Sequence, residues 1–223
     1  MKQRKQRIRI EHDDIGGEGP REWDNLAKMV YLHRIYILGD NEKTLGFNAL
    51  EEATELRETL HQNGGDDLFW DELSALLIRK HDACVILPMY MLDHSGLTIS
   101  TTPFACPWDS MQVGFIYTTH KDVQENWPTW KRISPTRRKK LYEYMVDEVK
   151  TYDQFLTGNV YGWILEKLVC ERCDTWEQED SCWGYYGSDW RTNGIKDYIQ
   201  SYLTPGVLLY GLDGEVLAGE ETT

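Results

Sequence analysis

The stretch CVILPMYMLDHSGLTISTTPFACPWDSMQVGFIYTT, residues 84–119, decides the fold class that the sequence predicts. Cys84–Leu92 and Leu97–Thr101 are rich in apolar and β-branched residues, as strands are. Asp93–Gly96 between them has the composition of a hairpin turn, because Asp opens turns and Gly accepts a positive φ. A third strand is predicted over Met111–Thr119, after a linker whose two prolines cannot continue a ladder. The stretch therefore predicts antiparallel strands joined by short connections.

Outside this stretch, capping residues and helical spacing predict four helices. Their ranges are Asn48–Gln62, Asp66–Lys80, Ser134–Leu156 and Ser188–Leu203. Alternating and β-branched patterns predict further strands at Arg7–His12, Lys28–Leu38, Asn159–Val169, Ser181–Gly187, Val207–Leu212 and Glu215–Ala218. Hairpins mixed with helices, without repeating βαβ units, predict an α+β fold: a mainly antiparallel sheet built from hairpins and flanked by about four helices.

The 223 residues are predicted to form a single globular domain, 1–223, because no repeat, low-complexity tract or clear linker interrupts them. Hydrophobic residues make up 41% and charged residues 27%, which is typical of a chain that folds around a sizeable core. The best candidate boundary lies near 127–138, where Pro128 and Pro135 interrupt the pattern.

The chain is strongly acidic, with 37 Asp and Glu against 24 Lys and Arg, a formal net charge of −13. Acidic surfaces repel phosphate, so direct binding of nucleic acid is not expected and a basic protein is the favoured partner. No apolar run approaches the ~20 residues of a membrane span, so no membrane association is expected. The basic segment at residues 1–10 has no apolar core behind it, and the five cysteines are an odd number. These features predict a cytoplasmic protein with mostly reduced thiols.

Asp93, His94 and Asp109 are the best catalytic candidates in the sequence. A His oriented by a carboxylate can act as a general base, and the same groups can bind a divalent metal. The other interpretation is structural, with Asp93 opening a turn and Asp109 capping the next segment. The sequence contains neither a glycine-rich phosphate loop nor the HExxH or GxSxG signatures.

Cys170 and Cys173 form a CxxC pair, and Cys182 follows closely enough to be a third thiolate ligand for zinc. A fourth ligand would have to come from elsewhere in the chain. The alternatives are a disulfide or reduced thiols at a hairpin end. Zinc is thus the one cofactor considered, and otherwise no cofactor is expected.

Runs of carboxylates are the main candidate for a binding surface, because aligned negative charges resemble the phosphates of DNA. Spacing along the first predicted helix gives one negative stripe, and further acidic residues and an exposed-loop Trp extend the candidate set. The candidate binding residues are Glu51, Glu52, Glu55, Glu58, Asp66, Asp67 and Trp108. The alternative is that these charges are solvated surfaces pointing in different directions.

As a set, several short motifs resemble those of a family of uncharacterised proteins from bacteriophages, prophages and plasmids. The motifs are Asp24-Asn25-Leu26, Leu38-Gly39-Asp40, Leu87-Pro88-Met89-Tyr90, Asp93-His94-Ser95-Gly96, Cys106-Pro107-Trp108-Asp109-Ser110, Gln112-Val113-Gly114, Tyr152-Asp153-Gln154, Val160-Tyr161-Gly162 and Asp180-Ser181-Cys182-Trp183-Gly184. The resemblance covers most of the chain beyond the first twenty residues. It implies a mobile-element protein acting in a bacterial host cell and implies no mechanism.

Acidity and this resemblance together predict a non-enzymatic accessory protein that binds and inhibits or modulates a host nucleic-acid-handling or defence complex, such as a restriction or CRISPR effector. One version of such an antirestriction or anti-CRISPR inhibitor is a DNA mimic. The first alternative is a small metal- or His/Asp-dependent hydrolase with its site in the 93–110 loops. The second is a virion or assembly component, which would self-associate; the sequence leaves the oligomeric state open.

Overall fold

The computed structural model describes residues 5–14, 18–94, 96–106 and 110–219, and it divides the chain into two compact units. The terminal unit comprises Met1–Glu18 and Gln154–Thr223, and the central unit comprises Gly19–Asp153. The boundaries therefore fall near residues 18 and 153, whereas the sequence suggested one domain with its weakest point at 127–138.

Nine strands and six helices make up the described residues, and they confirm the predicted α+β class. The strands are β1 (Gln6–His12), β2 (Lys28–Tyr31), β3 (Ala83–Asp93), β4 (Leu97–Ser100), β5 (Ser110–Thr119), β6 (Val160–Cys170), β7 (Thr175–Tyr186), β8 (Val207–Tyr210) and β9 (Val216–Ala218). The helices are α1 (Glu42–Leu45), α2 (Ala49–Gln62), α3 (Phe69–His81), α4 (His120–Asn126), α5 (Pro135–Leu156) and α6 (Ile195–Ile199), with 3-10 turns at Pro20–Glu22 and Asp66–Leu68.

The central unit is built on an antiparallel sheet with the strand order β2-β5-β3-β4. Residues of β3 alternate between buried and half-buried, as a strand with one face on a core should. Leu73 and Leu77 of α3 pack against Phe115 and Tyr117 of β5 in one cluster of buried residues. The hairpin predicted from Asp93–Gly96 is confirmed, since β3 pairs with β4 around it.

The strand predicted over Lys28–Leu38 ends at Tyr31 in the structure. The His33 ring accepts hydrogen bonds at 3.2 Å from the backbone N–H groups of Ile35 and Tyr36, which turns the chain out of the sheet. Side-chain bonds to the local backbone compete with a ladder in this way. The segment 32–38 is consequently a surface loop, although its β-branched composition is typical of a strand.

A buried ion cluster joins the ends of the central unit. The Arg21 side chain, only 5% exposed, donates to both carboxylate oxygens of Asp40 at 2.8 Å and to Glu148 of α5 at 3.0 Å. Both carboxylates also accept hydrogen bonds from the backbone. The Met29 N–H donates to Asp40, and the Leu26 N–H donates to Glu148. Burial acts to lower the pKa of Arg21, but the two carboxylates outweigh it and raise that pKa.

The terminal unit contains a second sheet with the order β7-β6-β1-β8-β9. Its pairs are antiparallel except β1 with β8, which run parallel although about two hundred residues separate them in the chain. Ile8 and Ile10 of β1 pack with Trp163, Leu165 and Leu209 in the core of this unit. The predicted single sheet is thus replaced by two mostly antiparallel sheets.

The helix predicted over Ser188–Leu203 is reduced to Ile195–Ile199. Gly194 adopts a φ of 101°, and the Asn193 side chain accepts the N–H of Ile195 at 3.0 Å. The left-handed Gly194 is the N-cap residue of the short helix, and the Asn193 side chain forms a turn with the backbone just before it, so the helix begins at Ile195 and not at Ser188.

Glu166 of β6 lies between two arginines of β1. Arg7 donates to it at 2.6 Å and Arg9 at 3.0 Å. Burial acts to raise the pKa of Glu166, but the hydrogen bonds from Arg9 and Arg7 outweigh it, so the pKa lies below its ordinary value.

A Glu166→Gln variant is expected to be less stable than the wild type by about 1–2 kcal/mol at neutral pH, because it loses charge-assisted hydrogen bonds that are partly open to solvent. Because the pKa of Glu166 is lower in the folded state, its ionisation stabilises the folded protein at pH values above the unfolded pKa of about 4.3. That contribution is lost as the pH falls through the folded-state pKa. Urea denaturation at a series of pH values measures both effects. A stability difference that stays constant from neutral pH to about pH 3 would contradict this account.

Candidate functional site

A cavity of about 340 Å³ opens beside α2 in the central unit. Its lining includes Leu32 from the surface loop and residues from successive turns of the helix: Leu50, Ala53, Thr54, Arg57 and Glu58. Helix α2 begins where the sequence predicts, because the Asn48 side chain accepts the N–H of Glu51 at 3.0 Å. The helix thereby presents one row of side chains to the cavity.

Large apolar side chains are exposed on the two elements that line this cavity, helix α2 and the surface loop. Leu50 is 67% exposed, and Ile35 and Ile37 of the surface loop are 78% and 100% exposed. Leu50 itself lines the cavity, and Ile35 and Ile37 follow the loop residues 32–34 that line it. Single exposed apolar residues are common, but several of them on the elements that line an open cavity are typical of an interaction site. The sequence did not reveal the exposed loop residues, because residues 28–38 have the composition of a strand. The signal against a strand was His33, whose side chain can accept hydrogen bonds from the following backbone, next to the charged Arg34.

Three carboxylates form an acidic rim on the neighbouring face of α2. Glu51, Glu55 and Glu58 lie four and three residues apart, so they share one face of the helix. All three are exposed, and none forms an ion pair with another described residue. We call the cavity, the exposed apolar residues and this rim the acidic–apolar surface.

The other acidic candidates do not join this rim. The Glu52 carboxylate accepts hydrogen bonds from the Lys80 ammonium at 2.6 Å and from the His81 ring at 2.7 Å. These bonds hold α2 against α3. Burial acts to raise the pKa of Glu52, but the bonds from Lys80 and His81 outweigh it and lower that pKa. Asp66 lies 3.1 Å from a ring nitrogen of His61, while Asp67 is exposed. Trp108 lies outside the described residues.

The catalytic candidates are placed only in part. Asp93 is the last residue of β3, and its carboxylate accepts the hydroxyl of Tyr36 at 2.7 Å. That hydrogen bond raises the pKa of Tyr36. His94 is exposed in the turn, where its backbone N–H donates to Gly96. Asp109 lies outside the described residues, so the His94–Asp109 arrangement stays a prediction.

The structure keeps Cys182 apart from the CxxC pair. Across the β6–β7 ladder, Cys170 faces Thr175 and Cys182 faces Trp163. Seven residues of β6 separate these positions, which is about 23 Å along a strand, so one metal cannot reach all three thiolates. Cys173 donates to Cys170 and lowers its pKa. Among the residues with assigned positions, no group of three His, Cys, Asp or Glu side chains is arranged to hold a metal.

Comparisons with known proteins give no relative for this arrangement. No family model, curated protein or solved structure matches the chain. Over residues 5–14, 18–94, 96–106 and 110–219, no helix is both long and apolar enough to cross a membrane.

Proposed function

We propose that the protein is an accessory protein of a bacteriophage or related mobile element that binds a host nucleic-acid-handling or defence protein and inhibits or modulates it. The observation that carries the proposal is the acidic–apolar surface, where a mostly apolar cavity, whose lining also includes Arg34 and Arg57, adjoins exposed carboxylates that form no direct ion pair with another described residue. The phage-family resemblance of the sequence motifs supports the mobile-element setting.

The composition of this surface suits a protein partner. Interfaces combine an apolar centre, which supplies most of the affinity, with a polar rim that sets orientation and specificity. Here Leu50 and the cavity supply the centre, and Glu51 and Glu55 supply the rim. At about 340 Å³ the cavity is at the small end of ligand pockets, which suits an anchoring apolar side chain of a larger partner.

The charge of the rim selects the partner's chemistry. Complementary potentials steer association and reject partners of like charge. Proteins that handle nucleic acids must carry Lys and Arg where they contact phosphate. We therefore take the occupant to be a basic amphipathic segment of such a protein, with an apolar residue in the cavity and cations against Glu51, Glu55 and Glu58.

The test is affinity capture from host lysate with the tagged wild type, a rim variant and a variant altered outside the surface. Glu51→Lys/Glu55→Lys reverses the rim, and Asp147→Lys places a new cation at an exposed position of α5, outside the surface. We expect a nucleic-acid-binding protein to be retained by the wild type and by Asp147→Lys, and recovered about tenfold less with the rim variant, a loss of about 1.4 kcal/mol. Identical recovery with the rim variant would sink the proposal.

Titration of the captured partner in purified form then separates the two parts of the surface. Leu50→Asp is expected to weaken binding at all salt concentrations, because it places a charge in the apolar centre. The rim variant is expected to flatten the salt dependence, because exposed charge pairs are screened by salt. Competition by DNA would support the DNA-mimic version, and wild-type binding that does not respond to salt would contradict it.

A further inference from the structure

Residues 127–144 gather cations and aromatic rings in a chain whose net charge is negative. We call them the basic–aromatic segment; they join the end of α4 to the first turns of α5. The segment carries one carboxylate, Glu143, against six cations: Lys131, Arg132, Arg137, Arg138, Lys139 and Lys140. Five of the six are exposed, and Arg137 is half-buried. The net charge of −13 therefore conceals a strongly positive region at residues 127–144.

The rings and the cations of this segment form one surface. Trp127 and Trp130 stack with their centroids 4.5 Å apart and 13° between their planes. The Lys140 ammonium lies 5.5–5.9 Å from the rings of Trp127, Trp130 and Tyr144. The Arg137 guanidinium lies 5.0 Å from the Trp130 centroid. Each of these two cations is thus placed within reach of an aromatic face.

Hydrogen bonds fix this arrangement before any ligand arrives. The Trp127 backbone N–H donates to the last turn of α4, and that of Trp130 donates to the Trp127 carbonyl at 2.9 Å. Arg137 donates to the Arg132 carbonyl at 2.8 Å, and Arg138 donates to the Cys84 carbonyl at 2.7 Å. Binding to such a surface loses less conformational freedom than binding to mobile lysines.

We propose that the basic–aromatic segment binds single-stranded nucleic acid. A single strand alternates phosphates with unpaired bases, so its binding site combines cations with aromatic rings that the bases can reach. In this segment Tyr142 and Tyr144 are exposed, and Trp127 and Trp130 are half-buried. A duplex hides its base faces, and an acidic peptide offers no ring for Trp130 to stack on. The proposal concerns other residues than the acidic–apolar surface, and it differs from the expectation, drawn from the acidic net charge, that the chain does not bind nucleic acid directly.

The acidity of the rest of the chain does not prevent this. At physiological ionic strength the Debye length is about 8 Å, so charges on distant parts of the surface act weakly on a strand held at residues 127–144. The same screening predicts that the affinity depends steeply on salt, because each phosphate that a cation neutralises releases a counterion.

Fluorescence anisotropy of a labelled oligothymidine of about 20 nucleotides, which exceeds the footprint of a typical single-strand site, tests the proposal on the full chain. Lys139→Glu/Lys140→Glu is expected to weaken binding at least tenfold and to reduce the slope of log K against log salt by about 0.7 for each phosphate that is no longer neutralised. Lys43→Glu/Lys150→Glu reverses two exposed lysines outside the segment, one in α1 and one farther along α5; it is the charge-matched control and should change the affinity less than about twofold.

The aromatic part is tested by Trp130→Ala, which we expect to weaken binding about 5- to 150-fold, the range measured for loss of one stacked base. Trp130→Phe keeps a ring and should recover most of the affinity, while circular dichroism verifies that both variants are folded. Three outcomes would overturn the proposal: no binding at low salt, equal binding of a duplex of the same length, or displacement by polyglutamate as effective as by unlabelled oligothymidine. The last would indicate an acidic protein ligand.

Discussion

Replacing Arg21 with Ala is expected to lower the free energy of unfolding by about 3–5 kcal/mol, because removing one member of a buried ion cluster leaves the others charged and unpaired. The Asp40 side chain is fully buried and accepts hydrogen bonds from two nitrogens of the Arg21 guanidinium, and the Glu148 side chain is largely buried. Urea denaturation followed by tryptophan fluorescence measures the loss. As total stabilities are about 5–15 kcal/mol, much of the central unit's stability depends on this side chain.

Two further variants distinguish the cluster from a general effect of losing an arginine. Arg21→Lys keeps the charge but loses the two-pronged bond, so we expect a smaller loss than for Ala. Arg34→Ala removes an exposed arginine and is expected to stay within about 0.5 kcal/mol of the wild type. An Arg21→Ala loss below about 1 kcal/mol would mean that the carboxylates find other partners or become protonated.

Gly114→Ala is the second change with a large expected effect, about 3 kcal/mol, at the upper end for overpacked sites. A Cβ at Gly114 would lie 1.9 Å from the Val30 carbonyl oxygen and 3.2 Å from the Tyr31 Cα. These are backbone atoms of the paired strand β2, so no side-chain rotation can relieve the clash. Strand β2 would have to separate from β5.

Thermal denaturation of Gly114→Ala beside Gly65→Ala measures this effect. Gly65 has a negative φ, and its Cβ would make only ordinary contacts at 3.4 Å or more, so its substitution should cost less than about 1 kcal/mol. Because Leu32 follows β2 directly and lines the cavity, Gly114→Ala should also weaken partner capture. Equal stability of the two variants would contradict the close approach of β2 and β5.

Local sequence signals predicted the elements whose stability is itself local. Asn48 marked the start of α2, Ser134-Pro135 marked the start of α5, and Asp93–Gly96 marked the β3–β4 turn. Capping and turn chemistry involve residues a few positions apart, so a single sequence contains the whole signal.

Long-range contacts account for most of what the sequence did not reveal. The parallel pairing of β1 with β8 brings together strands about two hundred residues apart and adds β8 and β9 to the sheet of β7, β6 and β1. Arg21 looks like an ordinary surface residue until Glu148, more than a hundred positions away, comes beside it. At the candidate site, helical spacing predicted the shared face of Glu51 and Glu55, but the capture of Glu52 by His81 depends on how α2 packs on α3.

The outer strands of the terminal sheet suggest a further role for acidity, in solubility. An open strand edge can pair with the edge of another molecule, and proteins avoid this with short edges, bulges or charge. Strand β9 has three residues, whereas β7 has twelve and carries Glu177, Glu179 and Asp180. Pairing β7 edges of two copies would bring like charges together, which is unfavourable. Lys167 pairs with Glu177 and Glu179 and offsets one of the three charges; the remaining excess of negative charge opposes edge pairing, independently of any partner.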